Sequence, residues 1–212
     1  MPIQFITPSI ISSVANTQVT GTITANQIAA VNANTITTGT IPLAQVPQLT
    51  TAKMPTGSVL QVVSSTFSST QAITGTPTWT DISSLSVSIT PTSSSSRFLI
   101  LGTVAVDGNN NTYFRFVRNS TAIGIGDTSG GNYRVTMGNG FVGSFSGNAN
   151  QFAMFSNFHL DSPATASAIT YKIQAIADGG SGSGTCYINY SNDESGPAGR
   201  PISNITVMEI AS

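Results

Sequence analysis

Charge is scarce in this sequence. Of its 212 residues only 7% are Asp, Glu, Lys or Arg, against about a quarter in ordinary soluble domains. The net charge is −1 and no cluster of Lys or Arg occurs, so the electrostatic footprint that nucleic acid requires is missing. Histidine and cysteine are nearly absent as well: His159 and Cys186 each stand alone. One thiol permits neither an intrachain disulfide nor a cysteine-built zinc site, so stability has to come from packing or from other subunits. With no histidine pair and no EF-hand spacing, no metal or other cofactor is expected. Long apolar runs are also missing. None reaches the roughly 18 residues of a membrane span, and the opening MPIQFITPSIISSVA lacks the basic region of a secretory signal. Neither membrane insertion nor Sec export is expected, and the sequons at Asn119, Asn189 and Asn204 read as chance in an Asn/Ser/Thr-rich chain.

What is there instead is uncharged polarity on an apolar frame. Hydrophobic residues make up 39%, too many for a disordered polymer, which pairs low hydrophobicity with high net charge. Residues 1–52 contain no Asp, Glu, Lys, Arg or His, and no aromatic after Phe5. Within them Thr20-Gly21-Thr22-Ile23 recurs as Thr38-Gly39-Thr40-Ile41, and single aliphatics punctuate β-forming polar residues at Ile23, Ile28, Val31, Ile36, Ile41 and Val46. That spacing fits neither a helical stripe nor strict alternation. One chain cannot bury such sparse aliphatics alone, whereas three wound about a shared axis can, by the logic of repeat arrays. The expected organisation is a charge-free anchor and trimeric shaft over 1–52, followed by a head over 53–212. A Thr/Asn-rich linker is the alternative for the first segment. The apolar Phe5, Ile6, Ile10 and Ile11 are expected to anchor it in a virion adaptor.

From residue 53 onward, short alternating segments are separated by turn clusters. Strands are expected at 57–67 (Val59, Gln61 and Val63 on one face), 79–82, 85–89, 97–107 (Phe98, Ile100, Val104 and Val106 on one face) and 113–118, where Phe114 and Phe116 oppose Arg115. Others are expected at 122–126, 133–142, 151–160, 170–177, 185–190 and 205–210. About ten such strands without a three-turn helix predict an all-β antiparallel sandwich or jelly roll.

The stretches Gly57-Ser58-Val59-Leu60-Gln61-Val62-Val63, Trp79-Thr80-Asp81-Ile82 and Leu85-Ser86-Val87-Ser88-Ile89-Thr90-Pro91, with the serine run into Arg97-Phe98-Leu99-Ile100-Leu101 and the closing Ile205-Thr206-Val207-Met208-Glu209-Ile210, resemble a head domain common in bacteriophage tail fibres, especially of marine and cyanobacterial phages. The Thr-Gly-Thr-Ile repeats are similar to those of phage fibre shafts. The resemblance implies a homotrimeric virion protein with a sandwich head of jelly-roll, tumour-necrosis-factor-like topology, made in the host cytoplasm. It also implies attachment to a host-surface glycan or protein through the head, and to other virion proteins through the N-terminus. The shaft is short for a long fibre, which keeps a neck appendage or a capsid decoration protein as alternatives.

Enzymatic chemistry has little to work with. A triad around His159 and Asp161 lacks a nucleophile motif, and two residues apart on a strand these groups more simply form a hydrogen-bonded surface pair. A polysaccharide depolymerase needs two carboxylates about 5–10 Å apart, and the only adjacent acids, Asp193 and Glu194, sit in a turn-rich stretch. The glycine-rich 124–126 and 179–184 open no helix and read as hairpin loops. Receptor contacts are expected on loops, at Asn109, Asn110, Tyr113, Asp127, Tyr133, Asp193 and Glu194. Core or intersubunit packing is the preferred reading for the tyrosines themselves.

Overall fold

Strict alternation of apolar and polar residues decides the architecture. The computed structural model describes residues 53–75, 78–107, 111–139, 152–178, 184–190 and 199–212, all within one compact unit, 49–212. These residues form eleven strands and no α-helix: β1 (Val59–Phe67), β2 (Gln71–Gly75), β3 (Thr80–Ile89), β4 (Arg97–Asp107), β5 (Asn111–Arg118), β6 (Thr121–Ile123), β7 (Met137–Asn139), β8 (Ala153–Asp161), β9 (Ile169–Asp178), β10 (Gly184–Ile188) and β11 (Ser203–Ile210). They build two antiparallel sheets. The six-stranded sheet A runs β1-β11-β4-β10-β2, with β8 on the other edge of β4. The five-stranded sheet B runs β3-β9-β5-β6, with β7 also on β5. The all-β sandwich expected from the sequence is thus observed.

Each sheet turns one face inward. On β4 the inward set is Phe98, Ile100, Val104 and Val106, all buried. Sheet B answers with Phe114 and Phe116 from β5 and Tyr171 and Ile173 from β9, all buried in the same core cluster. Full burial of such side chains is worth about 1.5–3 kcal/mol each. Gly102 holds the one inward position of β4 without a side chain. A Cβ there would lie 2.6 Å from Phe116 Cε1 and 2.9 Å from Ile173 Cδ1, so sheet B fills the space opposite it. The sheets are also pinned electrostatically. Asp161 at the end of β8 accepts Arg118 Nη1 at 2.8 and 2.9 Å and the Tyr171 hydroxyl at 2.8 Å.

β4 is continuous, but its neighbours on one edge are not: β11 pairs along 97–103 and β10 along 106–107. The chain leaves β10 at Asn189 and returns at Ser203, and these two fully buried residues close the gap. The Asn189 amide nitrogen donates to the carbonyls of Phe67 (2.6 Å) and Ser69 (3.1 Å), where β1 gives way to β2. The Ser203 hydroxyl donates to Asn189 Oδ1 (2.6 Å) and accepts from the Ala105 amide (3.0 Å). Four strand ends thereby meet around one hydrogen-bonded bridge, and leaving any of its buried groups unpaired would cost about 1–3 kcal/mol.

Several expectations need correction. Segments 79–82 and 85–89 form one strand, β3, kinked by a register shift between Asp81 and Ser86, where Ser84 adopts φ +61°. Five residue steps of β3 there span two of β9, an enlarged bulge that inserts three residues without ending the strand. A similar shift between Val59 and Gln61 turns Val59 outward, 48% exposed, instead of onto the face of Gln61 and Val63. β2 was not anticipated. His159 and Asp161 do share a face, but Asp161 is buried and taken by Arg118 and Tyr171. The His159 ring lies instead against Gly124, where an added Cβ would meet its Cγ at 2.8 Å.

Two outcomes follow for stability. Asn189→Ala strands two backbone carbonyls and one hydroxyl, so an equilibrium denaturant titration is expected to lose about 2–4 kcal/mol. Cys186 is buried, and that burial pushes its thiol from 9.0 up to about 12 against an opposing hydrogen bond with Thr112. The native state therefore holds this proton after the unfolded chain has released it. The contribution of Cys186 to stability should be level below pH 9 and fall as pH rises through 9 to 12. Cys186 should also resist thiol reagents until the protein unfolds; rapid labelling of the native chain would contradict its burial.

Candidate functional site

The outward side of sheet B carries the chemistry. Because Phe114 and Phe116 point into the core, β5 turns Tyr113 and Arg115 outward; β9 does the same with Lys172, Gln174 and Ile176. Register places Arg115 opposite Gln174, and Gln174 opposite Asp81 of β3. The three form a row across three strands. Arg115 Nε and Nη2 both donate to Gln174 Oε1, at 2.9 and 2.7 Å. This fixes the amide so that its nitrogen donates to Asp81 Oδ1 at 2.7 Å. Lys172 Nζ takes Asp81 Oδ2 at 2.7 Å. Burial works to raise the Asp81 pKa, but hydrogen bonds from Lys172 and Gln174 and the charges of Lys172 and Arg115 outweigh it and hold the carboxyl below its usual value.

Beside this row stand three aromatic rings. Trp79, immediately before β3, meets Tyr133 edge-on at 6.5 Å between centroids, and Tyr133 tilts against Tyr113 at 5.7 Å. The guanidinium carbon of Arg115 sits 4.2 Å from the Trp79 ring centroid, within cation–π range. Tyr133 is raised in pKa by desolvation, then by the charge and hydrogen bond of Asp178. Gly138 of β7 lets the chain pass close to Tyr113: its φ is +145°, and a Cβ there would lie 2.5 Å from the Thr112 carbonyl and 2.7 Å from Tyr113 Cα. Ile176 faces outward by register, opposite Tyr113, yet is fully buried and outside the core cluster. This corner thus has its own small apolar base. Trp79, Tyr113, Arg115, Tyr133 and Gln174 are all half-buried, held by neighbours but open to solvent.

Held ring faces next to a row of oriented amide, guanidinium and carboxylate groups can do one thing well. They offer stacking to an apolar ring face and directional hydrogen bonds to its hydroxyl rim, with the side-chain ordering cost already met. A separate cavity of about 320 Å³ opens by Leu60, Thr92, Ser93, Ser95 and Ser96. Its lining carries no charged side chain. Glu209, nearby in the fold, is engaged by the amide and hydroxyl of Thr92 at 2.7 Å and by Gln61.

Of the expected contact residues, Tyr113 and Tyr133 come together here, and neither belongs to the buried core cluster, so the core half of the preferred reading does not hold for these two. Asp127 is exposed and joins none of these rings or bonds among the described residues. Asn109, Asn110, Asp193 and Glu194 lie outside the described residues, as do Ile23, Ile28, Val31, Ile36, Ile41 and Val46 of the expected shaft and Phe5, Ile6, Ile10 and Ile11 of the expected anchor. Sequence reasoning missed Trp79, Asp81, Lys172 and Gln174. The alternation of β5 and β9 carried part of the signal, since whatever opposes Phe114, Phe116 and Ile173 has to share an outer face. No protein-family model matches the chain, and no curated protein matches it.

Trp79 is the sole tryptophan, so fluorescence excited at the red edge of the protein band, where tyrosine does not absorb, reads this cluster alone. Arg115→Ala is expected to change the emission intensity and wavelength of Trp79 while costing only about 0.5–1 kcal/mol in stability. An unchanged spectrum would mean that the guanidinium does not sit on the ring in solution.

Proposed function

We propose that this chain is a structural, non-enzymatic protein of a virus particle: a short phage-type fibre whose head attaches to host-surface glycan through the aromatic and polar cluster on sheet B. The cluster is the observation that carries the recognition half of this reading. Trp79, Tyr113 and Tyr133 supply ring surface, while Arg115, Gln174 and Asp81 supply fixed donors and acceptors. The virion half rests on the sequence resemblance to fibre heads and on the charge-free repeats of residues 1–52.

In this reading the sandwich is a jelly roll. β1 and β2 pair with β11 and β10, which share one edge of β4; β6 and β7 share one edge of β5. Counting each such pair as one interrupted strand reduces the eleven elements to eight, and the sheet orders become 1-8-3-6 and 2-7-4-5. That is the interleaving produced when a long hairpin of four strand pairs is rolled into two facing sheets, and it supports the jelly roll. Residues 1–52 would form the trimeric shaft, with the aliphatics from Ile23 to Val46 on its axis and the segment around Phe5 and Ile10 docked to another virion protein.

The mechanism is passive. One ring-stacking site on an open surface binds weakly, but three heads on one shaft, and many fibres on one particle, turn weak contacts into avidity gains of about 10²–10⁴. No bond needs to be broken, and none of the eight carboxylates is assigned a catalytic role.

Labelled full-length protein on a glycan microarray tests this reading. Retention on a subset of glycans is expected, reduced at least tenfold by Trp79→Ala and by Tyr133→Ala, with an unchanged melting temperature. Absence of retention, or equal retention by both variants, would overturn glycan recognition at this site.

A further inference from the structure

The outward face of sheet A is unlike that of sheet B. Register aligns Val62 of β1, Met208 of β11, Leu99 of β4 and Leu160 of β8 in one row across four strands. The next outward row contains Leu101 opposite Phe158, and Met154 stands farther along β8 opposite Ala105. These are not incidental surface aliphatics. Phe158 is 70% exposed, Met154 55% and Val62 53%. Around them the outward positions are Ser64, Thr66, Thr103, Ser156, Asn204 and Thr206. Between Arg97 and Asp107 at the two ends of β4, no outward residue of these four strands bears a charge.

β8 is moreover an edge. Among the described residues it pairs only with β4. Its two titratable residues, His159 and Asp161, point inward, and it contains no proline. Soluble monomers normally protect an exposed edge with charge, proline or a bulge, because an open edge invites another chain. This edge has none of those on its outward side and carries the most exposed aromatic residue among the described ones.

We propose that this face is where copies of the chain meet, with the β8 edge and Phe158 of one copy seated on the Val62–Met208–Leu99 row of the next. A second copy fits better than a charged partner. A neutral surface meets itself without like-charge repulsion, whereas the Asp81–Lys172–Arg115 face would place charges against charges. Size agrees. Four strands about 4.8 Å apart, over about seven residues at about 3.3 Å each, span about 440 Å² in projection. That lies in the middle of the range for the largest apolar patch of a monomer; as a flat projection that already counts the Ser/Thr positions it is a lower bound on accessible area, a little over half of the roughly 800 Å² per partner of a standard interface. A closed ring of three also needs two different patches per copy, one given and one received. The β8 edge and the row across β4, β11 and β1 are two such patches. The inference rests on the self-assembling half of the proposed function and not on glycan recognition; it leaves the sheet B cluster facing outward.

The test is a photo-reactive benzoyl group placed on the ring at Phe158 in the full-length chain, with light-scattering mass measured on the same sample. Phe158 is largely solvent-exposed, so the addition does not disturb the core. The expected result is a trimer whose cross-link joins position 158 to residues of β1, β4 or β11 in a second copy. A trimer whose cross-links fall on residues 1–52, or that yields none, would overturn this surface and leave the fibre reading standing. A monomer at every concentration would overturn both. Hydrogen exchange on the unmodified chain gives an independent reading: the amides of 153–161 should exchange more slowly in the assembled state, and equal rates would count against the proposal.

Discussion

β4 has both of its hydrogen-bonding edges occupied over nearly its whole length, by β8 on one side and by β11 and then β10 on the other. Everything else in the head takes its position from that strand. Its inward residues meet the aromatic residues of sheet B, and its bare position at Gly102 sets where Phe116 and Ile173 fill the core. Its outward residues, Leu99 and Leu101, sit in the middle of an apolar face. A strand fixed this firmly has no freedom to slip by one residue, since a slip would send Phe98 and Ile100 to solvent and Leu99 and Leu101 into a space shaped for others.

The two outer faces then divide the chemistry of a chain that has little charge to distribute. Among the described residues, sheet B gathers Asp81, Arg115 and Lys172 in one network and adds Trp79, Tyr113 and Tyr133. On the corresponding side of β1, β4, β8 and β11 the only charges among the described residues are Arg97 and Asp107, at the two ends of β4. Charge on a mostly neutral protein is informative because of its rarity. The three ionised groups of the sheet B network are spent on orienting one amide and one carboxylate instead of being scattered for solubility.

Much of the head was legible in the sequence, for a physical reason that also explains the failures. Half-buried strands write their orientation directly into the residue order. Phe98, Ile100, Val104 and Val106 could be assigned to one face, and Phe114 and Phe116 opposed to Arg115, with no structure in hand. Bulges erase that signal: one added residue at 59–61 and the kink near Ser84 shift the phase, so Val59 was assigned to the wrong side and β3 was read as two strands. β2 was missed because Gln71–Gly75 is five residues long and leans on β10 alone. The site was legible only in part. Tyr113 and Tyr133 were candidates, but their junction with Trp79 depends on the pairing of β5, β7 and β9, and pairing is a non-local property that no window of sequence contains.

The buried bridge between Asn189 and Ser203 bears on how such a head can diversify. Residue 189 ends one segment and residue 203 begins the next on the same edge of β4, and both are locked to each other and to the backbone of Phe67, Ser69 and Ala105. The bonds of that lock run entirely between these five residues. Doubling the length of a loop between fixed ends costs only about 0.6 kcal/mol in closure entropy. The junction is therefore a natural insertion port: a place where new sequence can be written into the head, by evolution or by design, while the sandwich beneath keeps its register.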